Sequence, residues 1–297
     1  MTSHQNIKRF DQISTNADQK VNDFSITVGT VNGSGSQTSN LTLLRALFRM
    51  GIPVSGKNIF PSNIQGLPTW YTIRVSKDGY LARRDEHDIV VAMNPETFNK
   101  DLADVVPGGA FLYADHIKMP VDRDDLVVYP MPVKKFARES GAPPKLRDYV
   151  ANMVYVGILA QLLGIDLEKI LQALEFHFKG RAKPVDMNYK VVNTAHEWAA
   201  GHYEKMDPYR VELMNATEGN IMADGNTAAA LGATMVVCSS YLGIPLLLPP
   251  VCRNHYKIIY RCCGKTRLRR IRIRSLLFRQ KMNLLQLVWL SALDGQD

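Results

Sequence analysis

The chain has 297 residues, 46% of them hydrophobic and 22% charged, a composition that excludes a disordered or fibrous protein and leaves room for two domains or one large one. Its formal net charge of +8 is concentrated at one end: residues 251–297 hold 11 of the 36 Lys and Arg but 2 of the 28 Asp and Glu, so residues 1–250 carry 25 bases against 26 acids. A neutral body excludes a broad nucleic-acid-binding surface, and four cysteines, three of them (Cys252, Cys262, Cys263) beyond residue 250, exclude a disulfide framework and iron–sulfur spacing.

The first 20 residues are polar, lack an apolar signal core and read as disordered up to Val21. From there "FSITVGTVNGSGSQTSNLTLLRALFRMG" reads as a β-branched strand, a Gly/Ser loop and a helix with Leu43, Leu44, Leu47 and Phe48 on one face, stopped by Gly51. Trp70–Val75 alternates as a strand does, and Lys77–Asp78–Gly79 forms a turn. A buried strand Ile89–Met93 follows, then a helix with Asn94 as N-cap and Pro95 at its first position, a stop at Pro107–Gly109 and a strand Ala110–Tyr113. This alternation predicts an α/β fold with a parallel or mixed sheet flanked by helices.

After Lys145 two apolar helices, broken at Gly164 and with Asp166 capping the second, read as a helical cover for the sheet. The polar stretch 190–219 reads as a link to a second unit, which opens at "NIMADGNTAAALGATMVV" with a small-residue helix suited to close packing. Apolar runs such as "GIPLLLPPV" fall short of the roughly 20 residues that span a bilayer. A cytoplasmic protein with no membrane or nucleic-acid partner is expected.

The strongest chemical candidate is the loop from Gly29 to Asn40. Gly29, Asn32, Gly33, Ser34, Gly35, Ser36 and Asn40 lie between a strand and a helix N-terminus, where backbone N–H groups and the helix dipole favour an anion. A tight β–α turn with no ligand is the alternative. A dinucleotide fits poorly, because Thr38 replaces the third glycine of G-x-G-x-x-G and no acid occurs from Phe24 to Lys77 to hold a ribose. Arg45, Arg49, Lys57, Arg74 and Lys77 would suit phosphate groups or a solvated surface. The seven histidines have no zinc spacing, and neither the serines nor Cys238 has the context of a nucleophile, so no catalytic side chain and no metal ligand is expected.

From about Val21 to Gly243, and most specifically in the Gly/Ser loop and "NIFPSNIQGLPTWYTIRVS", the sequence resembles the γ domain of 2-oxoacid:ferredoxin oxidoreductases, which in many of these enzymes is fused ahead of the α subunit. "GNTAAALGAT" at Gly225–Thr234 resembles the start of the α subunit's first domain. The resemblance implies oxidative decarboxylation of a small 2-oxoacid to an acyl-CoA, with ferredoxin as electron acceptor and coenzyme A as a substrate held in part by the 29–40 loop. It implies no cofactor bound by this chain alone; thiamine diphosphate, Mg and [4Fe–4S] clusters would sit on a partner β subunit. The fused layout favours 2-oxoglutarate as the acid. The corresponding domains are a γ-type domain at 21–200, a linker at 201–215 and the opening of the α domain at 216–243.

The basic tail, 244–297, departs from the family pattern, and the genetic code offers a reason. Starting each codon on its third base, Met282–Asn283 must give Glu, and Trp289–Leu290 must give Ala or Val. In that frame Leu242–Val251 can encode Trp-Tyr-Pro-Ile-Thr-Pro, and the last residues can encode a Glu-Asp-Glu motif; both belong to the family's α subunit. The expectation is a frameshifted, truncated subunit, inactive alone. The competing expectation is a stand-alone anion- or nucleotide-binding α/β module whose basic tail binds an acidic partner.

Overall fold

The computed structural model describes residues 19–60 and 66–237; the expectations for the N-terminal segment and for the basic tail lie outside them. Two compact units divide at Met222/Ala223.

The first unit is built on a six-stranded mixed sheet. Its strands are β2 (Asp23–Val31), β3 (Val54–Ile59), β4 (Pro68–Ser76), β5 (His87–Ala92), β6 (Val105–Ala114) and β7 (Val127–Met131), in the order β3-β4-β2-β5-β6-β7. β2 pairs antiparallel with β4, with Gly29 opposite Trp70, and parallel with β5, with Gly29 opposite Ala92. A parallel neighbour requires a crossover. Helix α1 (Ser36–Arg49) begins it, and its buried Leu43, Leu44 and Leu47 follow the predicted stripe. Lys77–Gly79 turns as expected, with Gly79 N–H donating to Ser76 O at 3.1 Å.

After β5, Asn94 caps a 3-10 turn (Pro95–Thr97) through its side chain, which accepts from Glu96 N–H at 3.0 Å; helix α2 (Phe98–Ala103) continues from it. The helix does not stop at Pro107–Gly109 as expected: α2 ends at Ala103, and Pro107–Gly109 lies inside β6. The glycines mark a register irregularity, since β5 and β6 shift pairing between His87 and Ile89 and Gly108 N–H turns to Asp125 O at 2.8 Å. Helices α3 (Val133–Glu139) and α4 (Arg147–Ala151, entered by a 3-10 turn at Pro144–Leu146) precede α5 (Met153–Leu163). In α5 only Gln161 is not buried, as befits a helix covered on all sides. Gly164 ends it in the left-handed conformation and Asp166 caps α6 (Leu167–His177), accepting from Glu168 N–H at 2.8 Å, both as read from sequence.

The polar stretch after Lys190 is the larger departure. Its first part completes α7 (Ala182–His202), the longest described helix, whose buried Val185, Asn188, Val192, Ala195 and Ala199 recur at three- and four-residue spacing against α5. Its second part is a strap. Tyr209–Arg210 (β8) pairs parallel with β1 (Lys20–Val21), and the chain then donates Val211 N–H to Leu163 O at 2.8 Å, Met214 N–H to Met50 O at 2.9 Å and Ala216 N–H to Gly51 O at 2.9 Å. Asn22 exchanges two hydrogen bonds with the backbone of Glu212. Carbonyls that α1 and α5 leave open at their C-termini therefore find partners in the strap. The second unit's described part is α8 (Gly225–Val237), where the Asp224 side chain accepts from Thr227 N–H at 2.7 Å.

Gly51 is where strap and helix meet most closely. Its φ is +80°, and a Cβ there would overlap the Met214 carbonyl. Gly51→Ala is therefore expected to cost about 1–3 kcal/mol, through backbone strain and displacement of the strap, measured as a lower urea midpoint at unchanged m-value.

Candidate functional site

The Gly/Ser loop emerges from the C-terminal end of β2 and enters α1. Ser34 N–H donates to Val31 O at 3.1 Å, and Asn32 and the β3–β4 hairpin exchange two bonds: Asn32 N–H to Leu67 O at 2.8 Å and Gly66 N–H to Asn32 O at 3.0 Å. Gly35 stands at the N-cap with φ +81° and offers no side chain to the first turn. Thr30 and Ser36 hydroxyls bond across the loop at 2.9 Å. The helical layer holds it from behind: Asn152 Nδ2 donates to Ser34 O at 2.9 Å, and the buried Tyr155 hydroxyl donates to Asn40 Oδ1 at 2.7 Å. Burial pushes the Tyr155 phenol up, so it stays a donor.

A cavity of about 230 Å³ opens at this loop. Asn32, Gly33, Gly35, Ser36 and Asn40 line it, together with Asn58, Thr69, Trp70 and Tyr71 from β3 and β4, and Tyr149 from α4. Gly29 and Ser34 belong to the same turn but not to this lining. Among the described residues the lining holds no Lys, Arg, Asp or Glu, only amides, hydroxyls and aromatic rings. None of the bases singled out from sequence, Arg45, Arg49, Lys57, Arg74 and Lys77, lines it. Arg45 lies against His177 Nδ1 at 3.3 Å and over the Phe176 ring, Arg49 reaches Gln172, and buried Arg74 pairs with Asp23. Lys57 and Arg74 line a separate cavity of about 260 Å³ with Arg83.

Gly29 lacks a side chain for a reason unrelated to the loop. A Cβ there would lie 2.5 Å from Asp101 Oδ2. Asp101, on α2, is 2% exposed and accepts from Trp70 Nε1 at 2.7 Å and from Thr97 Oγ1 at 2.7 Å. Burial pushes its carboxyl up to about 6, against the two hydrogen bonds, which favour the charged form. Trp70, Tyr149 and Asn58 escape sequence reading because only the fold brings them to the cavity beside Asn32, and Asp101 because only the fold brings it to Gly29 and Trp70. Trp70 carried a partial signal, as the first residue of the alternating stretch.

A family model described as pyruvate ferredoxin/flavodoxin oxidoreductase matches residues 25–198, the sheet, the Gly/Ser loop and most of the helical cover. The chain belongs to this family. Relatives include the α subunit of 2-oxoacid:ferredoxin oxidoreductase 2 of Aeropyrum pernix, 22% identical over 71% of this chain and 40% of that protein. Ketoisovalerate oxidoreductase subunit VorA of Methanothermobacter thermautotrophicus is 30% identical over 40% of this chain and 24% of its own length. A solved structure of 2-oxoglutarate:ferredoxin oxidoreductase from Magnetococcus marinus, with 2-oxoglutarate, coenzyme A and succinyl-CoA bound, superposes with a TM-score of 0.64 at 27% identity over 72% of this chain and 37% of that one. The chain thus spans well under half the length of these relatives. Relationship to the α subunits of ferredoxin-linked 2-oxoacid oxidoreductases follows; among the described residues there is no helix long and apolar enough to cross a membrane, and no group of three His, Cys, Asp or Glu placed to hold a metal ion.

Two outcomes are expected from this geometry. A Cβ on Gly35 would overlap the Tyr149 ring, which is about half exposed and free to swing; Gly35→Ala should cost about 1–2 kcal/mol, and Tyr149→Ala in the same chain should recover part of that in a double-mutant cycle. The folded protein holds the Asp101 proton more tightly than the unfolded chain, whose carboxyl titrates at its ordinary 3.8. Stability should therefore fall as pH rises from about 4 to about 6 and level off above; Asp101→Asn removes a contribution on the order of 3 kcal/mol from that fall, seen in urea titrations at pH 4.5, 6 and 8.

Proposed function

We propose that residues 21–200 are the γ-type domain of a 2-oxoacid:ferredoxin oxidoreductase and that the cavity at the Gly/Ser loop receives part of coenzyme A. The observation that carries this reading is the family match over 25–198, joined to the likeness to a solved oxidoreductase whose bound molecules include coenzyme A and succinyl-CoA. The reaction converts a 2-oxoacid, CoA and two oxidised ferredoxin equivalents into acyl-CoA, CO2, a proton and two reduced equivalents. The chemistry of the cavity suits one portion of that substrate. Amide and hydroxyl groups from Asn32, Asn40, Asn58 and Thr69 match the amides of the pantetheine arm. The N–H groups of Ser36 and Gln37 at the start of α1 would take a phosphate through the helix dipole.

The described residues do not fit the other groups that the chemistry needs. No metal-holding cluster occurs among them; thiamine diphosphate, Mg and [4Fe–4S] clusters are assigned to a β subunit on the family resemblance. What this chain does is bind, orient and shield CoA beside the partner's site, with 2-oxoglutarate the first candidate acid, in the cytoplasm and without nucleic-acid or membrane partners. Residues 201–215 would connect to an α-domain opening at 216–243, and a frameshift near 239–241 accounts for the change in charge and cysteine content beyond it. The chain by itself is then inactive.

Isothermal titration of CoA into the full chain is the direct test. Saturable binding is expected, with Tyr149→Ala weakening it about threefold to tenfold, because the ring closes one side of the cavity without supporting the core. Absence of binding, or an affinity indifferent to Tyr149, would sink the reading. Sequencing the gene decides the second part: an intact frame through codon 297, with bases that cannot spell the two motifs, removes the frameshift.

A further inference from the structure

Trp70 lines the cavity, and its indole N–H reaches past the sheet to a carboxylate on α2. It stands opposite Gly29 in the β2–β4 ladder, and its indole Nε1 donates to Asp101 Oδ1. The other carboxylate oxygen, Oδ2, accepts from Thr97 and fills the space that a side chain on residue 29 would need. Lys100 Nζ lies 4.5 Å from the centroid of the Trp70 ring. We infer that Asp101 is a positioning residue that fixes the Trp70 wall of the cavity, and that gain of a proton by Asp101 loosens that wall.

The charges acting on Asp101 are Asp104 and Lys100, one opposing ionisation and one favouring it, both on α2 or its C-cap. The strands packed against it contribute Gly29 from β2 and Trp70 from β4, neither charged. A proton on Oδ2 has a ready partner. The carboxyl O–H would donate to Thr97 Oγ1, whose own hydroxyl can turn to Asn94 O, at 3.4 Å. Trp70 then donates to a neutral carbonyl oxygen instead of a carboxylate, and a hydrogen bond to a charged acceptor is about twice as strong. Burial has already brought the carboxyl into the range where this exchange happens near neutral pH. Gly29, Trp70, Thr97 and Asp101 form one unit whose output is the angle of an aromatic wall.

That wall matters for catalysis only if the cavity binds CoA, so the inference about ligand affinity rests on the proposed function, and two separate measurements are needed. The first uses no ligand. In the full chain, the Trp70 Nε1–H cross-peak in an ¹H–¹⁵N spectrum, assigned by its loss in Trp70→Phe, should move between pH 5 and 7.5 with a midpoint within about a unit of 6, and should be flat in Asp101→Asn. Observation of Trp70 alone is required, because Trp198, stacked on the His202 ring at 4.4 Å, would report its own surroundings. A titration that survives in Asp101→Asn, or none in the wild type, overturns the assignment.

The second measurement is CoA affinity at pH 7.5 and pH 5. The 3′-phosphate of CoA changes charge in the same window, so the wild type is compared with Asp101→Asn at each pH. Wild-type affinity should fall about threefold to tenfold more than that of the variant. Equal falls would show that Asp101 does not act on the ligand through Trp70. If the wild type binds no CoA, the CoA reading of the cavity fails, and the cross-peak titration still decides whether Asp101 governs Trp70.

Discussion

β2 is hydrogen-bonded on both sides, antiparallel to β4 and parallel to β5, and the rest of the unit follows from that placement. A central strand must be covered on both faces. Its alternate residues Phe24, Ile26 and Val28 are fully buried apolar side chains, while Ser25, Thr27 and Gly29 between them meet polar partners: Asp88, the Thr72 hydroxyl with His87, and Asp101. The parallel pairing with β5 forces a crossover, and α1, which begins it, directs its N-terminus to the end of β2 where the cavity lies. A one-residue slip in β2 would exchange the two sets and place Phe24 and Val28 at the positions that face Asp88 and Asp101. The register of this strand is therefore held from both sides.

The strap shows how the helical layer is kept in that register. α1 and α5 end near one another, and residues 203–217 run past both ends, supplying donors to Leu163, Met50 and Gly51 and a side-chain hydroxyl, Thr217 Oγ1, to Phe48 O. Asp88 joins the same region to the sheet, accepting from Ser25 and pairing with Lys20 at 3.1 Å beside Tyr209. A segment whose composition marks it as a connection is in this way part of the first unit's core, with Tyr209 1% and Val211 4% exposed.

Local punctuation made part of this legible in the sequence. The Gly/Ser loop, the Asn94 and Asp166 caps and the Gly164 stop each rest on residues within a few positions of one another, and each holds. Pro107–Gly109 misled because Pro and Gly end helices and also interrupt strands; the deciding fact is that β5 pairs on both sides of the irregularity. α7 was hidden by its polar face, although Val185, Val192, Ala195 and Ala199 kept helical spacing. At the site, Asn32, Gly33, Gly35, Ser36 and Asn40 could be named in advance, while Thr30 and Gln37, which line the cavity beside them, were not. Trp70 and Tyr149 could not, since sequence separations of 38 and 117 from Asn32 are closed only by the sheet and the helical cover. The bases Arg45, Arg49, Lys57, Arg74 and Lys77 are absent from this lining for the same reason: closeness in sequence to the loop did not place them in the cavity.

The cavity also explains why consecutive residues of β4 both reach it. Trp70 and Tyr71 point to opposite faces of the sheet, as neighbours in a strand must, yet both line the same space, because the cavity lies at the end of the sheet rather than on one face. Each residue is held by a different layer. Tyr71, packed on the helical side among Leu44 and Gly56, has its phenol pushed up to about 12 by burial and stays neutral. Trp70 is held on the other side by Asp101. The loop belongs to both layers through Asn40 and Asn152 on one hand and the β3–β4 hairpin on the other. Asp101, which meets Gly29 at the start of the loop and Trp70 in the cavity wall, is the side chain through which the α2 layer touches both.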